Sequence, residues 1–424
     1  MTLFNRERWR GWRKRTAIFF AVVGPGIITA NVDNDAGGIY TYSVAGASHG
    51  YSLLWTLIPI TVALIIVQEM VARMGVVTGK GLADLIREEY GFRTTFLLMM
   101  FLLVANLGNT VANFAGFASG MSLFGASRFI AVPIGALFVW LLVVKGSYRF
   151  VEKVFLAACV FYLAYPISTF FAQPDWKHAV ISTLKPSFQF DTGYLFMMIG
   201  LVGTTIAPWM QFYQQASVVE KGIKVKNYNL VKWDVILGCI MTDVVAFFII
   251  VSCAATIFAN GGRQISSAAD AAHALTPLAG HAAGILFAFG LVNASLFAAS
   301  ILPLSTAYYV CEGLGLESGV DKRFQEAPAF YWLYTGLIVV GSGIVVVLSE
   351  ARQVPLILVS QVANGILLPF ILIFMLRLSN RPDLMGEHRN PKWLNWAAWT
   401  LAIIMMALTA VFLISTFFPG RFPF

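Results

Sequence analysis

Between Gly24 and Gly46 the sequence reads Gly-Pro-Gly-Ile-Ile-Thr-Ala-Asn-Val-Asp-Asn-Asp-Ala-Gly-Gly-Ile-Tyr-Thr-Tyr-Ser-Val-Ala-Gly. Asn31, Asp33, Asn34 and Asp35 bring oxygen atoms, and Gly37 and Gly38 weaken the helix around them, freeing carbonyls to point at a ligand. Carboxylates among loosened carbonyls form the donor set of a cation site. They interrupt a segment, 17–47, that is otherwise apolar enough to cross a bilayer. A carboxylate at that depth costs ~3 kcal/mol or more and is kept only where it faces a cavity, an ion or a partner. The plainer reading is a kinked helix whose acids pair with another helix; the functional default for intramembrane acids favours a broken helix with a cation site.

A second interruption falls at 200–209, Gly-Leu-Val-Gly-Thr-Thr-Ile-Ala-Pro-Trp, where Pro208 removes a backbone donor in mid-segment. Apolar segments at 17–47, 51–77, 95–124, 127–145, 152–172, 192–219, 231–259, 281–313, 329–349, 353–378 and 393–418 give eleven spans, with the first and sixth broken. Five spans per unit put the two breaks at corresponding positions of two repeats. An odd number of spans inverts the second repeat, the layout of many secondary transporters that bind at the midplane. The organisation expected is a basic N-terminus at 1–16, one five-helix repeat at 17–172, an inverted one at 192–378 and an eleventh helix at 393–418.

Composition agrees with an all-α integral membrane protein. The chain is 58% hydrophobic and 12% charged, with a mean hydropathy of +0.75. Soluble domains carry about 25% charged residues. With the N-terminus cytoplasmic, 23 of the 29 lysines and arginines fall on the inside, so the positive-inside rule places the N-terminus in the cytoplasm and the C-terminus outside. The net charge of +8 is thus a topology signal, and nucleic-acid binding has nothing else in its favour. Residues Met1 to Thr16 run into the first apolar segment without a small-residue cleavage pattern, which argues against a removed signal peptide. Cys159, Cys239, Cys253 and Cys311 are dispersed and read as packing residues. No nucleophile–base pair or multi-ligand cluster speaks for an enzyme.

Strings spread over most of the chain carry a family resemblance. They include Gly24-Pro25-Gly26, Ala45-Gly46-Ala47 with Gly50-Tyr51 and Leu53-Leu54-Trp55, Ala72-Arg73-Met74-Gly75-Val76-Val77-Thr78-Gly79-Lys80, Ser360-Gln361-Val362 with Leu368-Pro369-Phe370, and Asn380-Arg381 with Met385-Gly386. The sequence resembles the Nramp family of divalent-metal transporters, and the resemblance implies a LeuT-like fold of two inverted five-helix repeats plus one helix. The family's Asp-Pro-Gly-Asn falls on Asp35-Ala36-Gly37-Gly38, its Met-Pro-His on Ala207-Pro208-Trp209, and an acid of its third span on Gly116. Scaffold residues survive while the ligand asparagine, the thioether and the proton-handling groups are gone.

By that resemblance the metal residues are Asp35 as the charge partner, the carbonyls of Val32 and Thr204, Gln361 and Asn364 as further oxygens, and Gly38 and Ala207 as space. An interhelical hydrogen bond is an equal reading for Gln361 and Asn364. Loss of a soft thioether relaxes the bias against hard ions, and a wide site with one carboxylate suits Mg²⁺, which keeps much of its water. The departures resemble the branch of Nramp-related magnesium transporters. His49, His178, His273, His281 and His388 all lie near span ends or in loops, leaving no mid-membrane relay, and Asp243 either carries a proton or pairs with a polar neighbour. The expectation is a monomeric, multi-pass cell-membrane carrier of Mg²⁺ and Mn²⁺, uncoupled from protons, with no cofactor; a proton-coupled Mn²⁺/Fe²⁺ symporter and a Na⁺-coupled organic-substrate carrier of the same fold are the alternatives.

Overall fold

The computed structural model describes residues 24–189, 192–261, 265, 270–272 and 280–417, with the side chains of 192, 350–363, 408, 412, 413 and 415–417 excepted. The basic stretch 1–16, with Trp9 and Trp12, and His273 lie outside the described residues. Among the described residues every regular element is a helix. In chain order these are α1 Pro25–Val32, α2 Ala36–His49, α3 Leu57–Thr78, α4 Leu82–Ser122, α5 Arg128–Lys145, α6 Tyr148–Val160, α7 Ala164–Phe171 and α8 Trp176–Leu184. There follow α9 Thr192–Thr205, α10 Pro208–Glu220, α11 Tyr228–Cys253, α12 His281–Leu314, α13 Pro328–Val347, α14 Glu350–Ser379, α15 Pro382–Met385 and α16 Lys392–Phe417.

Nine stretches among the described residues are long and apolar enough to cross a membrane, or ten when Asn364–Ser379 and Pro382–His388, bent by 69°, count as one. The expected eleven exceeds this by the pair α1 and α2, which have 8 and 14 residues and are each too short to cross alone. Large apolar side chains such as Phe101, Phe129, Ile130, Trp332 and Val347 point outward, more than half exposed, as a lipid-facing surface requires. Trp393 and Trp396 are likewise exposed near the start of α16.

Two elements differ from the sequence reading. Helix α4 starts at Leu82, not 95, because Leu82, Ala83, Leu85 and Ile86 bury one face of an added amphipathic segment. Gly91 (φ 79°) then turns the chain into the apolar part. Helix α8 was not expected; Asp175 caps it by accepting from the His178 N–H at 3.0 Å.

The centre is formed by α4 running along α12 and α14, with α11 packed against α1, α2 and α3. Helices α1 and α11 meet backbone to backbone: a Cβ on Gly26 would stand 2.6 Å from Val235 N, and one on Gly238 2.5 Å from Gly26 O. At the same crossing the Asp234 carboxylate accepts from the N–H groups of Gly24 (3.1 Å), Gly26 (2.7 Å) and Ile27 (3.3 Å). An anion is well placed there, at the positive end of α1. Beside it Lys221, at the C-terminal cap of α10, and Glu152 of α6 form an ion pair of 2.6 Å. On α3 Glu69 and Arg73, one helical turn apart, pair at 3.3 Å, and Arg73 also donates to the carbonyls of His388 (3.2 Å) and Arg389 (3.3 Å) and to Asn390 Oδ1.

Candidate metal site

Helix α1 ends in a tight turn, with the Asp33 and Asn34 N–H groups donating to the carbonyls of Ala30 and Asn31, both at 3.2 Å. Asp35 then takes an extended conformation (φ −75°, ψ −175°) and caps α2, its Oδ1 accepting from the Gly38 N–H at 2.8 Å. Its Oδ2 accepts from Asn113 Nδ2 at 2.9 Å. Asn113 Oδ1 takes the Ala36 N–H at 3.1 Å, which diverts the donor that a continuous helix would aim at the Val32 carbonyl. The sixth segment reaches the same outcome through Pro208. Helix α9 stops at Thr205, α10 restarts at Pro208, and proline has no N–H for the Thr204 carbonyl.

The two interruptions face one another across a small cavity. Val32, Asp33 and Asp35 line it from one side, and Gly203, Thr204, Ala207 and Trp209 from the other. Asn109 of α4 and Asn364 of α14 complete the wall. A water-sized particle has about 20 Å³ in which to place its centre, room for about one occupant. Amides join the wall to the core: Asn106 Nδ2 donates to Thr306 Oγ1 (3.0 Å), Asn109 Nδ2 to Asn106 Oδ1 (3.2 Å), and Asn364 Nδ2 to Asn109 Oδ1 (3.1 Å). Asn364 Oδ1 has no hydrogen-bond partner among the described residues.

Of the predicted residues, Val32, Asp35, Thr204, Ala207 and Asn364 are thus together. Gly38 is outside the lining. Its missing side chain makes room for the backbone of α1, since a Cβ there would be 2.4 Å from Asp33 O. Gln361 lies on α14 with its side chain outside the described residues. Asp33 and Trp209, both singled out in the sequence, stand in the wall as well, and so does Asn109, whose recurrence with Asn106 and Asn113 along one helix face suits the lining of a wet pathway. The sequence reading missed Gly203 as a wall residue and Asn113 as the group that orients Asp35. Among the described residues no group of three or more His, Cys, Asp or Glu could hold a metal, so the ligand atoms on offer are carboxylate, amide and carbonyl oxygens. Such a set suits hard divalent ions.

The family model described as Natural resistance-associated macrophage protein-like (Nramp) matches residues 26–415. The chain belongs to the Nramp family. Among its relatives, a protein of Granulibacter bethesdensis named divalent metal cation transporter MntH is 27% identical over 96% of this chain and 90% of its own length. A protein of the same name from Klebsiella pneumoniae is 26% identical, over 93% and 94%. This Nramp chain also shares its fold with the Eremococcus coleocola manganese transporter solved in complex with an aromatic bis-isothiourea substituted compound, with a TM-score of 0.78 at 21% identity, covering 95% of this chain and 88% of that one. MhsT in complex with L-phenylalanine aligns with a TM-score of 0.60 at 13% identity, over 92% and 97% of the two chains.

Proposed function

We propose that this Nramp chain carries divalent metal ions, Mg²⁺ and Mn²⁺, across the cell membrane as partly hydrated ions, by alternating access and without protons. The observation that carries the reading is the wall of the cavity: oxygen donors from Asp35, Asn109, Asn364 and two diverted carbonyls, with Ala207 and Gly203 on the side facing them. A site without a thioether has no filter against hard ions. Relatives named divalent metal cation transporters support the class of substrate. Within this reading the cavity, with room for about one water-sized particle, must widen to take an ion that keeps part of its water.

The uncoupled mechanism rests on what the neighbouring positions hold. A Cβ on Gly116 would lie 2.3 Å from Ala36 Cβ, so an acidic side chain has no room there. Trp209 does not titrate. Entry of a divalent ion through a 100 mV inside-negative potential yields roughly 4.6 kcal/mol, so accumulation needs no proton. Helices α1 with α2 and α9 with α10 act as the halves of two discontinuous spans in inverted repeats at 17–172 and 192–378, giving eleven spans in a monomer with the N-terminus cytoplasmic and the C-terminus external.

The test is uptake into proteoliposomes under an imposed inside-negative potential, following Mg²⁺, Mn²⁺ and internal pH together. Entry of both metals without acidification, abolished by Asp35→Ala, is the expected result. Mn²⁺ entry accompanied by protons, with Mg²⁺ ignored, would replace this reading with a proton-coupled carrier.

A further inference from the structure

Helices α4 and α13 meet closely at Gly341, where a Cβ would stand 2.7 Å from Thr110 Cγ2. Ahead of that contact on both helices a groove of about 610 Å³ opens, with the end of α12 as its third wall. Met100, Leu103 and Leu107 form the α4 wall, on one face at i, i+3 and i+7, and the α13 wall runs from Ala329 to Val340. Every residue in the lining is apolar. A space of this size is no packing fault, since protein interiors leave few gaps larger than a water molecule. Water would find no polar partner in it. Gly341 makes room for a neighbouring helix, whereas Gly336 in the groove leaves its room empty: a Cβ there would meet nothing within 4 Å.

Length and position fit a lipid tail. From Ala329 to Val340 the wall rises ~16 Å at 1.5 Å per residue, about half of the ~30 Å hydrocarbon core and so the depth of one leaflet. The groove begins at the end of the spans, with Leu316 just past α12 and Ala329 in the first turn of α13. There a Cβ on Gly313 of α12 would stand 2.8 Å from Met99 Cγ, which sets the mouth beside the start of the apolar part of α4. Arg93 lies two turns ahead of Met100 on the same face, exposed and in no ion pair among the described residues. The acids just before it are already matched, Glu88 by Lys80 and Glu89 by Arg381. In the loop between α12 and α13, Lys322 pairs with Glu317, and Arg323 has beside it the Glu326 carboxylate, which accepts its N–H at 2.8 Å. Arg93 is therefore the uncommitted cation, and a guanidinium matches a phosphate in shape as well as charge. Trp332, in the lining and 65% exposed, sits within the first two turns of α13, where an indole favours the headgroup level.

We propose that a phospholipid is a resident ligand of this chain, with one acyl chain laid along the groove and its phosphate on Arg93. It fills the gap between α4, α12 and α13, apart from the cavity around Asp35.

The purified full chain is washed free of membrane lipid in detergent and titrated with dioleoylphosphatidylglycerol, or with dioleoylglycerol, which lacks the phosphate. Native mass spectrometry weighs the intact complexes. The wild type is expected to hold one phospholipid per chain. Gly336→Leu, which fills the groove, is expected to lose it, while Gly343→Leu, equally free of neighbours but outside the lining, keeps it. Arg93→Gln raises the phospholipid concentration at half-occupancy about tenfold, and dioleoylglycerol binds the wild type about tenfold more weakly than the phospholipid does. Arg93 is exposed, so its variant carries the test should Gly336→Leu not fold. A wild type that holds no phospholipid overturns the site, as does full binding by Gly336→Leu. Two-chain particles that vanish in Gly336→Leu would give the groove to a second copy instead. Equal affinity for the two lipids, or an unaltered Arg93→Gln, overturns the phosphate contact.

Discussion

Asp35 is held from two directions, by the Gly38 N–H and by Asn113 Nδ2. Each carboxylate oxygen keeps a lone pair for an ion, but its direction is fixed before the ion arrives. Asn113→Ala removes a hydrogen bond to a charged group, a contribution of about 1.5–3 kcal/mol. Mn²⁺ binding by calorimetry is accordingly expected to weaken by about tenfold or more, while Asp35→Ala abolishes it. Ala207→Met tests selectivity: the thioether would occupy a cavity of about 20 Å³ and supply a soft ligand. In liposomes Mg²⁺ uptake is expected to fall while Cd²⁺ uptake rises. An acid in an apolar span marks itself, so Asp35 was legible in the sequence. Asn113, 78 positions away, showed only a polar spacing on its helix, and its partner follows from packing. Gly38 shows the converse, because a glycine declares a missing side chain but not which backbone needs the space.

At the scale of elements, α1 is buried along nearly all of its length and latched at its start. Three N–H groups reach Asp234, and the Gly26–Gly238 contact leaves no room for a methyl group between α1 and α11. Asp234→Asn weakens the charged half of the latch, and Gly238→Val wedges the crossing open. Both are expected to raise the maleimide reactivity of Cys239, now fully buried on α11, at least severalfold; unchanged labelling would mean that α1 stays seated without them. The interruptions themselves were legible, because prolines, glycines and acids act locally on a helix. The early start of α4 and the capped α8 were not, since short amphipathic segments take their helical state from what they pack against.

For the whole molecule, the orientation drawn from the 23 inward cations predicts an epitope appended after Phe424 that antibodies and protease reach from outside intact cells, and one before Met1 that they do not. Staining at the opposite face would overturn the orientation read from the charges. The helical class and the approximate span number were readable from hydropathy, which reports burial in lipid; the span count fell short where two short helices, α1 and α2, share one crossing on our reading. Arg73, 4% exposed on α3, is satisfied partly by backbone carbonyls at His388 and Arg389, more than three hundred positions later. Those residues leave the ribosome long after α3 has done so. Until then a buried guanidinium waits with Glu69 and without its carbonyls, so a chain stopped at 385 carries an incompletely paired charge at a helix end. Nascent or prematurely terminated chains are thus expected to be open to membrane quality-control proteases, and their pulse-chase half-life is expected to lengthen once residues 386–390 are restored, which makes this contact a checkpoint of biogenesis.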